Sequence, residues 1–265
     1  MTDQIATRLA AARTIADAAG QMALNYFHNF DSLTIHQKGH QDLVSEADRN
    51  VETLVRARIA ATFPDDAIIG EEQTDTPGTS GFTWVIDPID GTANFVRGIP
   101  AWCVVLAVVE GTQTVAGVIH DPVHGEACHA RTGHGAFCND TPITVAPAAA
   151  ITHGSIGLGF SARSDNAKTL RAADAILSRG GIFFRNASGA LMLSYVARGR
   201  LLGYLEQHMN PWDCIAGQLL IAEAGGQVEC LDSAAMLSAG GRVVAGAPGI
   251  WDDLQTIAST AYGAP

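Results

Sequence analysis

The sequence predicts a layered α/β or α+β fold, an expectation that three observations carry. Segments with helical and with strand-like hydrophobic spacing alternate along the chain, which calls for helices packed on sheets. Of the 265 residues 47% are hydrophobic and only 16% charged, enough to bury a substantial core and to exclude wholesale disorder. The 28 glycines and ten prolines are spread throughout, as many turns between short elements require.

Taken in order, Ile5, Leu9, Ala12, Ile15, Ala16, Ala19 and Leu24 recur at helical spacing among polar residues and predict a first amphipathic helix. A second helix is predicted over 45–63, with Val51, Leu54, Val55 and Ile59 on one face and Pro64 ending it. The apolar runs 67–70 and 83–86, bounded by turn formers, predict buried strands. Residues 102–110 and 114–120 read as strands joined by a turn at Gly111, and 121–142 as further hairpins. The small-residue run 147–150 marks the expected boundary between an N-terminal half, 1–146, and a C-terminal half, 151–265. Beyond it the pattern predicts a strand over 155–160 and helices over 166–179 and 190–198. A strand over 203–206 and a helix over 212–224, closed by Gly225-Gly226, follow.

A net charge of -11 argues against a general binder of nucleic acid or anionic membranes, since nothing basic is available to replace counterions. An acidic enzyme acting on a phosphate would instead need metal cations to admit its substrate. The five cysteines, Cys103, Cys128, Cys138, Cys214 and Cys230, form no CxxC pair and follow no secretory signal, so reduced thiols in a cytoplasmic protein are expected. No segment has the roughly 18 uninterrupted apolar residues of a membrane span.

Chemistry concentrates in acidic residues at the ends of apolar elements. Glu71 and Glu72 follow one predicted strand directly, and Asp87-Pro88-Ile89-Asp90-Gly91-Thr92 follows the next. Pro88 fixes φ and Gly91 permits a tight turn, so Asp87, Asp90 and the Ile89 carbonyl can converge. Such a convergence suits a hard cation such as Mg²⁺, and unpaired carboxylates in a low-dielectric cleft would repel one another. Taken singly, each pair also reads as solvated loop acids.

At this point the chain resembles the inositol monophosphatase family. Asp87 to Thr92, then Asn94-Phe95 and Gly98-Ile99-Pro100, are similar to its signature. Upstream, 38–48 and Gly70-Glu71-Glu72 fall in the family's order, and Pro211-Trp212-Asp213 with 222–226 resembles its second signature. The likeness runs from the first helix to Gly226. It implies a layered αβαβα sandwich of two halves with the site at their junction, and a homodimer. Glu71, Asp87 and the Ile89 carbonyl would bind a first Mg²⁺; Asp87, Asp90 and Asp213 would share a second, and Glu71 would help hold a third. Asp48 and Thr92 match the pair that deprotonates the attacking water. Gly91 and Thr92 would open a helix whose free amides receive the phosphate, which helix N-termini favour in any case. Lys38 and Glu72 are further candidates. Asp90→Asn is then expected to abolish turnover while leaving the fold intact.

For substrate, Glu206 falls where inositol-cleaving relatives contact ring hydroxyls, and Arg185, Ser188 and Gly189 lie in the matching loop. Ala187 departs from a glycine common there. Inositol-1-phosphate or a similar polyol phosphate is the leading expectation, with Li⁺ inhibition. Histidinol, nucleotide and sugar phosphates are the enzymatic alternatives, and a catalytically silent regulatory partner is the non-enzymatic one. His120, His124, His129 and His134 with Cys128 and Cys138 match no tight zinc spacing and are expected to be exposed hairpin histidines.

Overall fold

A computed structural model describes residues 3–29, 35–39, 42–161, 163–229 and 233–263, of which 35–39 and 42–44 are described by backbone alone. Helix α1 (Gln4–Phe27) opens on Asp3, whose side chain accepts from the amides of Ile5 and Ala6. Strands β1 (Ile35–Gly39) and β2 (Asp42–Ser45) pair antiparallel and lead into α2 (Glu46–Thr62). Then come β3 (Ala67–Gly70), β4 (Phe82–Asp90), the single turn α3 (Thr92–Phe95), β5 (Cys103–Glu110) and β6 (Gln113–Asp121). The short strands β7 (Glu126–Arg131), β8 (Ala136–Cys138) and β9 (Thr141–Pro142) complete a seven-stranded sheet in chain order, in which only the β3–β4 pair is parallel.

The rest of the chain builds a second sheet. Its elements are β10 (Ser155–Leu158), α4 (Asn166–Ser178), β11 (Ile182–Phe184), α5 (Gly189–Ala197) and β12 (Gly203–Met209), then α6 (Pro211–Glu223), β13 (Gln227–Val228), α7 (Ser233–Ala239), β14 (Gly241–Gly246) and α8 (Trp251–Tyr262). The strands lie in the order β11-β10-β12-β14-β13.

Three apolar clusters glue five layers together. Ala16, Ala19, Val51 and Val55 of α1 and α2 pack on Trp84, Ile86 and Leu106 of the first sheet. The opposite face of that sheet, with Val85, Val105 and Ile119, meets Leu193 and Leu220 of α5 and α6, which also meet Tyr204 and Val243 of the second sheet. Ile156, Leu205 and Val244 on its far face bury Ala172 and Ile176 of α4 with Leu254 and Ile257 of α8. The result is the αβαβα sandwich that the family resemblance implied. β5 reads Cys-Val-Val-Leu-Ala-Val-Val, without alternation, because helices cover both faces of its sheet.

The differences from expectation are local. β4 continues through Pro88 to Asp90 as a bulge, and β11 is an additional edge strand whose three side chains are exposed. The region after Gly226, given no role above, supplies two strands and the outer helix α8. Arg8, on the polar side of the predicted first helix, is buried; its Nε and Nη2 donate to Asp66 at 2.8 and 2.7 Å, and its guanidinium covers the Phe82 ring at 3.8 Å. Asp66 also accepts from Ser80 Oγ and Trp84 Nε1. Among the described residues no helix is long and apolar enough to cross a membrane.

Candidate active site

Five acidic residues, Asp48, Glu71, Asp87, Asp90 and Asp213, reach one region because strand ends of the first sheet meet helix starts there. In β4 the four residues from Asp87 to Asp90 oppose only three on β5, since Asp87 pairs with Val105 and Asp90 with Cys103. Pro88, which has no amide to give the ladder, sits in this bulge, and the extra residue re-aims both aspartates. The Ile89 amide donates to Asp87 Oδ1 at 2.9 Å, tightening the turn. Gly91 then takes φ +100°; a Cβ there would stand 2.9 Å from the Ala101 carbonyl and 3.1 Å from Ser188, so only glycine fits.

Helix starts hold the remaining acids. Asp48, third residue of α2, closes a capping box: it accepts from the Ser45 amide at 2.8 Å and hydroxyl at 2.6 Å. Asp213, third residue of α6, accepts from the Asn210 amide at 3.2 Å. Asp90 itself caps α5: its Oδ2 accepts from the Ser188 hydroxyl at 2.5 Å and the Ala190 amide at 2.8 Å, while its Oδ1 faces the Gly189 amide at 3.3 Å. Each carboxylate thus lies in the positive end of a helix dipole.

Glu71, Asp87 and Asp213 bring carboxylate oxygens within 4.8 Å of one another. Burial, then the charges of Glu71, Asp90 and Asp213, push the Asp87 carboxyl well above its usual range. Burial and Asp90 push Asp213 up to about 8. An all-oxygen set whose members resist ionisation side by side fits a hard divalent cation, which would relieve the repulsion. The sign of the linkage follows: these carboxyls hold more protons folded than unfolded between about pH 4 and their raised values, so stability falls as pH rises through that window. In a chelator the Tm is expected to drop from about pH 5 to about pH 8.5, and added Mg²⁺ to recover most at the alkaline end. Differential scanning calorimetry checks this; a Tm that rises over the range, indifferent to the cation, would contradict the cluster.

Thr92 Oγ1 donates to Asp48 Oδ1 at 3.0 Å and also lies 3.1 Å from the Ile89 carbonyl, tying the expected proton-accepting pair to the turn. Burial raises the Asp48 carboxyl above its usual value against the pull of Ser45 and Thr92. On the other side a cavity of about 130 Å³ is lined by Asp90, Asp213, Arg185, Gly189, Tyr204 and Glu206. Glu206 is buried, accepts from the Tyr204 hydroxyl, and is pushed up to about 7 by that burial. Arg185 stacks over the Phe160 ring at 4.1 Å. Ser188 is fully buried and spends its hydroxyl on Asp90, so it acts there by fixing that carboxylate. Ala187 has φ +65°, a left-handed conformation that the glycine expected there by resemblance would adopt without strain. The side chain of Lys38, like all of Cys230, lies outside the described residues.

Three contributors escaped the sequence. Glu52, buried on the apolar face of α2, accepts from the Glu72 amide at 2.8 Å and from Arg56, and so anchors the Glu71-Glu72 turn. A charge at that face, four residues before an arginine, was the available clue. Tyr204 orients Glu206, and Gly159 leaves it room: a Cβ there would stand 2.1 Å from both side chains. The histidine segment needs a correction. His124 and His134 are exposed as expected, but His120 and His129 are only 7% exposed, because β6 and β7 turn them inward, His120 against Gly20 of α1. Among the described residues none of these four joins a metal-holding group.

Fold, acidic cluster and sequence together define a phosphatase, a hydrolase of small phosphorylated substrates. The chain belongs to the inositol monophosphatase family, whose model matches residues 4–262, well past the Gly226 limit expected above. It is 37% identical to Nus factor SuhB of Xylella fastidiosa over 215 residues, 80% of this chain and 78% of that protein. An inositol-1-monophosphatase of Mesorhizobium japonicum is 36% identical over 231 residues, 86% of this chain and 87% of the relative. A histidinol-phosphatase of Chlorobaculum parvum is 37% identical over 218 residues, 80% and 81% of the two chains. The crystal structure of the extragenic suppressor protein suhB from Bartonella henselae superposes with a TM-score of 0.90 at 29% identity, covering 95% of this chain and 98% of that one.

Proposed function

We propose that this phosphatase hydrolyses inositol-1-phosphate or a closely similar polyol phosphate, with two or three Mg²⁺ ions held by Glu71, Asp87, the Ile89 carbonyl, Asp90 and Asp213. Bound there, Mg²⁺ supplies charge neutralisation for the phosphate and acidity for a water. The chain supplies the rest. Thr92 donates its hydroxyl proton to Asp48, which leaves its lone pairs free to accept from the attacking water. Asp48, already raised by burial, is suited to keep the proton it receives. Gly91 and Thr92 present the opening amides of α3 to the phosphate, and the α5 amides hold Asp90 in one orientation. No side chain needs to become a phosphoenzyme.

The polyol reading rests on Glu206, a buried acceptor oriented by Tyr204 across the cavity from Asp90 and Asp213. Glu206→Leu is expected to raise KM for a polyol phosphate about 10- to 100-fold, the worth of one or two lost hydrogen bonds, with a smaller change in kcat. Phosphate release across inositol, histidinol, nucleotide and fructose phosphates tests the assignment; a kcat/KM highest for histidinol phosphate would replace it. That second reading is favoured by the identity to a histidinol-phosphatase, since Glu206 would also pair with an amine. Release from none of them in Mg²⁺ would instead support the catalytically silent regulatory alternative. We also infer inhibition by Li⁺ and a homodimer. The dimer is supported by the apolar edge strand, whose Ile182, Phe183 and Phe184 are 62%, 43% and 38% exposed. Sedimentation at the monomer mass would refute it.

A further inference from the structure

Cys128 on β7 and Cys138 on β8 take no part in the site above, yet they are direct partners in the antiparallel register of their strands. The Asn139 amide donates to the Ala127 carbonyl at 3.0 Å, which makes Ala127 and Asn139 the hydrogen-bonded pair and the two cysteines the non-hydrogen-bonded pair beside it. Such pairs hold their Cα atoms about 4.5 Å apart with side chains on one face. A disulfide spans roughly 4.4–6.8 Å between Cα atoms. Both thiols are free, enter the same core and are 2% and 7% exposed. The other described cysteines face no cysteine: Cys103 lies against Asp90 and Ser188, and Cys214 against Met236.

Charge differentiates the two sulfurs. The Cys128 thiol facing it and the Arg198 guanidinium, opposed by burial, bring Cys138 down to about 7, while the same neighbour raises Cys128. Glu126, the first residue of β7, pairs with Arg198 and Arg200 and holds that charge in place. A thiolate beside a thiol is the arrangement of an attacking and a resolving sulfur. β8 has three residues, and only the two of β9 lie outside it, so a short edge is all that must open to admit a small oxidant.

We propose that Cys128 and Cys138 form a dithiol–disulfide couple oxidised by a hydroperoxide. The Cys138 thiolate attacks one oxygen of hydrogen peroxide, the O–O bond breaks, and the products are a sulfenic acid and hydroxide, which takes up the proton Cys138 had released. Cys128 sulfur then attacks Cys138 sulfur; the S–S bond forms and the sulfenic hydroxyl leaves as water with the Cys128 proton. Each sulfur loses one electron and the peroxide becomes two waters.

Non-reducing peptide mapping of the native chain after hydrogen peroxide, with remaining thiols alkylated in denaturant, tests this. The expected product is a peptide pair linked through Cys128 and Cys138, lighter by two hydrogens, reversed by dithiothreitol, with Cys103 and Cys214 still alkylated. In Cys128→Ser, dimedone is expected to trap a sulfenic acid at Cys138, and in Cys138→Ser no label is expected at Cys128. The wild-type mapping stands even if these variants fold poorly. Both thiols remaining alkylatable, Cys138 passing to a sulfonic acid without linkage, or a bond from either to Cys230 would overturn the proposal.

Discussion

Asp90→Asn is expected to abolish phosphate release and also to lower the Tm of the metal-free protein. The second effect departs from the intact fold that sequence alone suggested. Asp90 collects the Ser188 hydroxyl and the Ala190 amide on one oxygen, with the Leu191 amide at 3.4 Å, and turns the other to the Gly189 amide. An asparagine keeps one oxygen, and its NH2 group points a donor at donors. Each buried group left unpaired costs roughly 1–3 kcal/mol. Asp87→Asn is the contrast: activity is expected to fall on the order of 10³-fold. Its metal-free Tm is expected to rise, because the substitution removes a buried charge opposed by Glu71, Asp90 and Asp213. Opposite Tm shifts, each with a large loss of activity, would separate an aspartate that caps α5 from one whose Ile89 hydrogen bond an asparagine oxygen can keep. Equal shifts in the two variants would sink the distinction.

That divergence shows what the sequence could carry. The helices over 45–63 and 190–198 and the strands of the first sheet were legible because periodicity and burial agree there, as in the apolar run of β5. The acids were legible too: Glu71, Asp87 and Asp90 follow apolar runs, where a charge has no reason to be unless a partner meets it. What stayed hidden depends on contacts between distant segments. Nothing near Asp90 announces that Ser188, 98 residues on, will donate to it. Glu206 became a held side chain only through Tyr204, and β11 was missed because three apolar residues without alternation carry too little pattern. His120 and His129 misled for the opposite reason, since polar composition hid an inward register. The capping box at Ser45 and Asp48 was written in the local sequence, and it places the expected proton acceptor at a helix start with no long-range information.

The largest stability effect is expected far from the chemistry, at Asp66. Its carboxylate is pushed up by burial, but Arg8, Ser80 and Trp84 donate to it and hold it below the usual carboxylate range. Asp66→Ala leaves the Arg8 guanidinium buried without its partner, which costs about 3–5 kcal/mol and lowers the Tm by roughly 10 °C. In the double variant Arg8→Met with Asp66→Ala the loss should be smaller than the sum of the single losses, because the stranded charge is gone. A depressed carboxyl stabilises the fold above its ordinary pKa and loses that contribution as pH falls through the lowered value, so Asp66→Ala should also flatten the acid limb of the stability curve. Turnover at a temperature where all variants are folded should stay within about twofold of the parent. Asp66 stands before β3 and Glu71 after it, so the strand that leads to Glu71 keeps its pairing with β4 from Ala67 to Gly70. Calorimetry with parallel phosphate-release assays decides it: a large kcat loss in folded Asp66→Ala would mean that the buried ion pair, through β3, sets the position of Glu71.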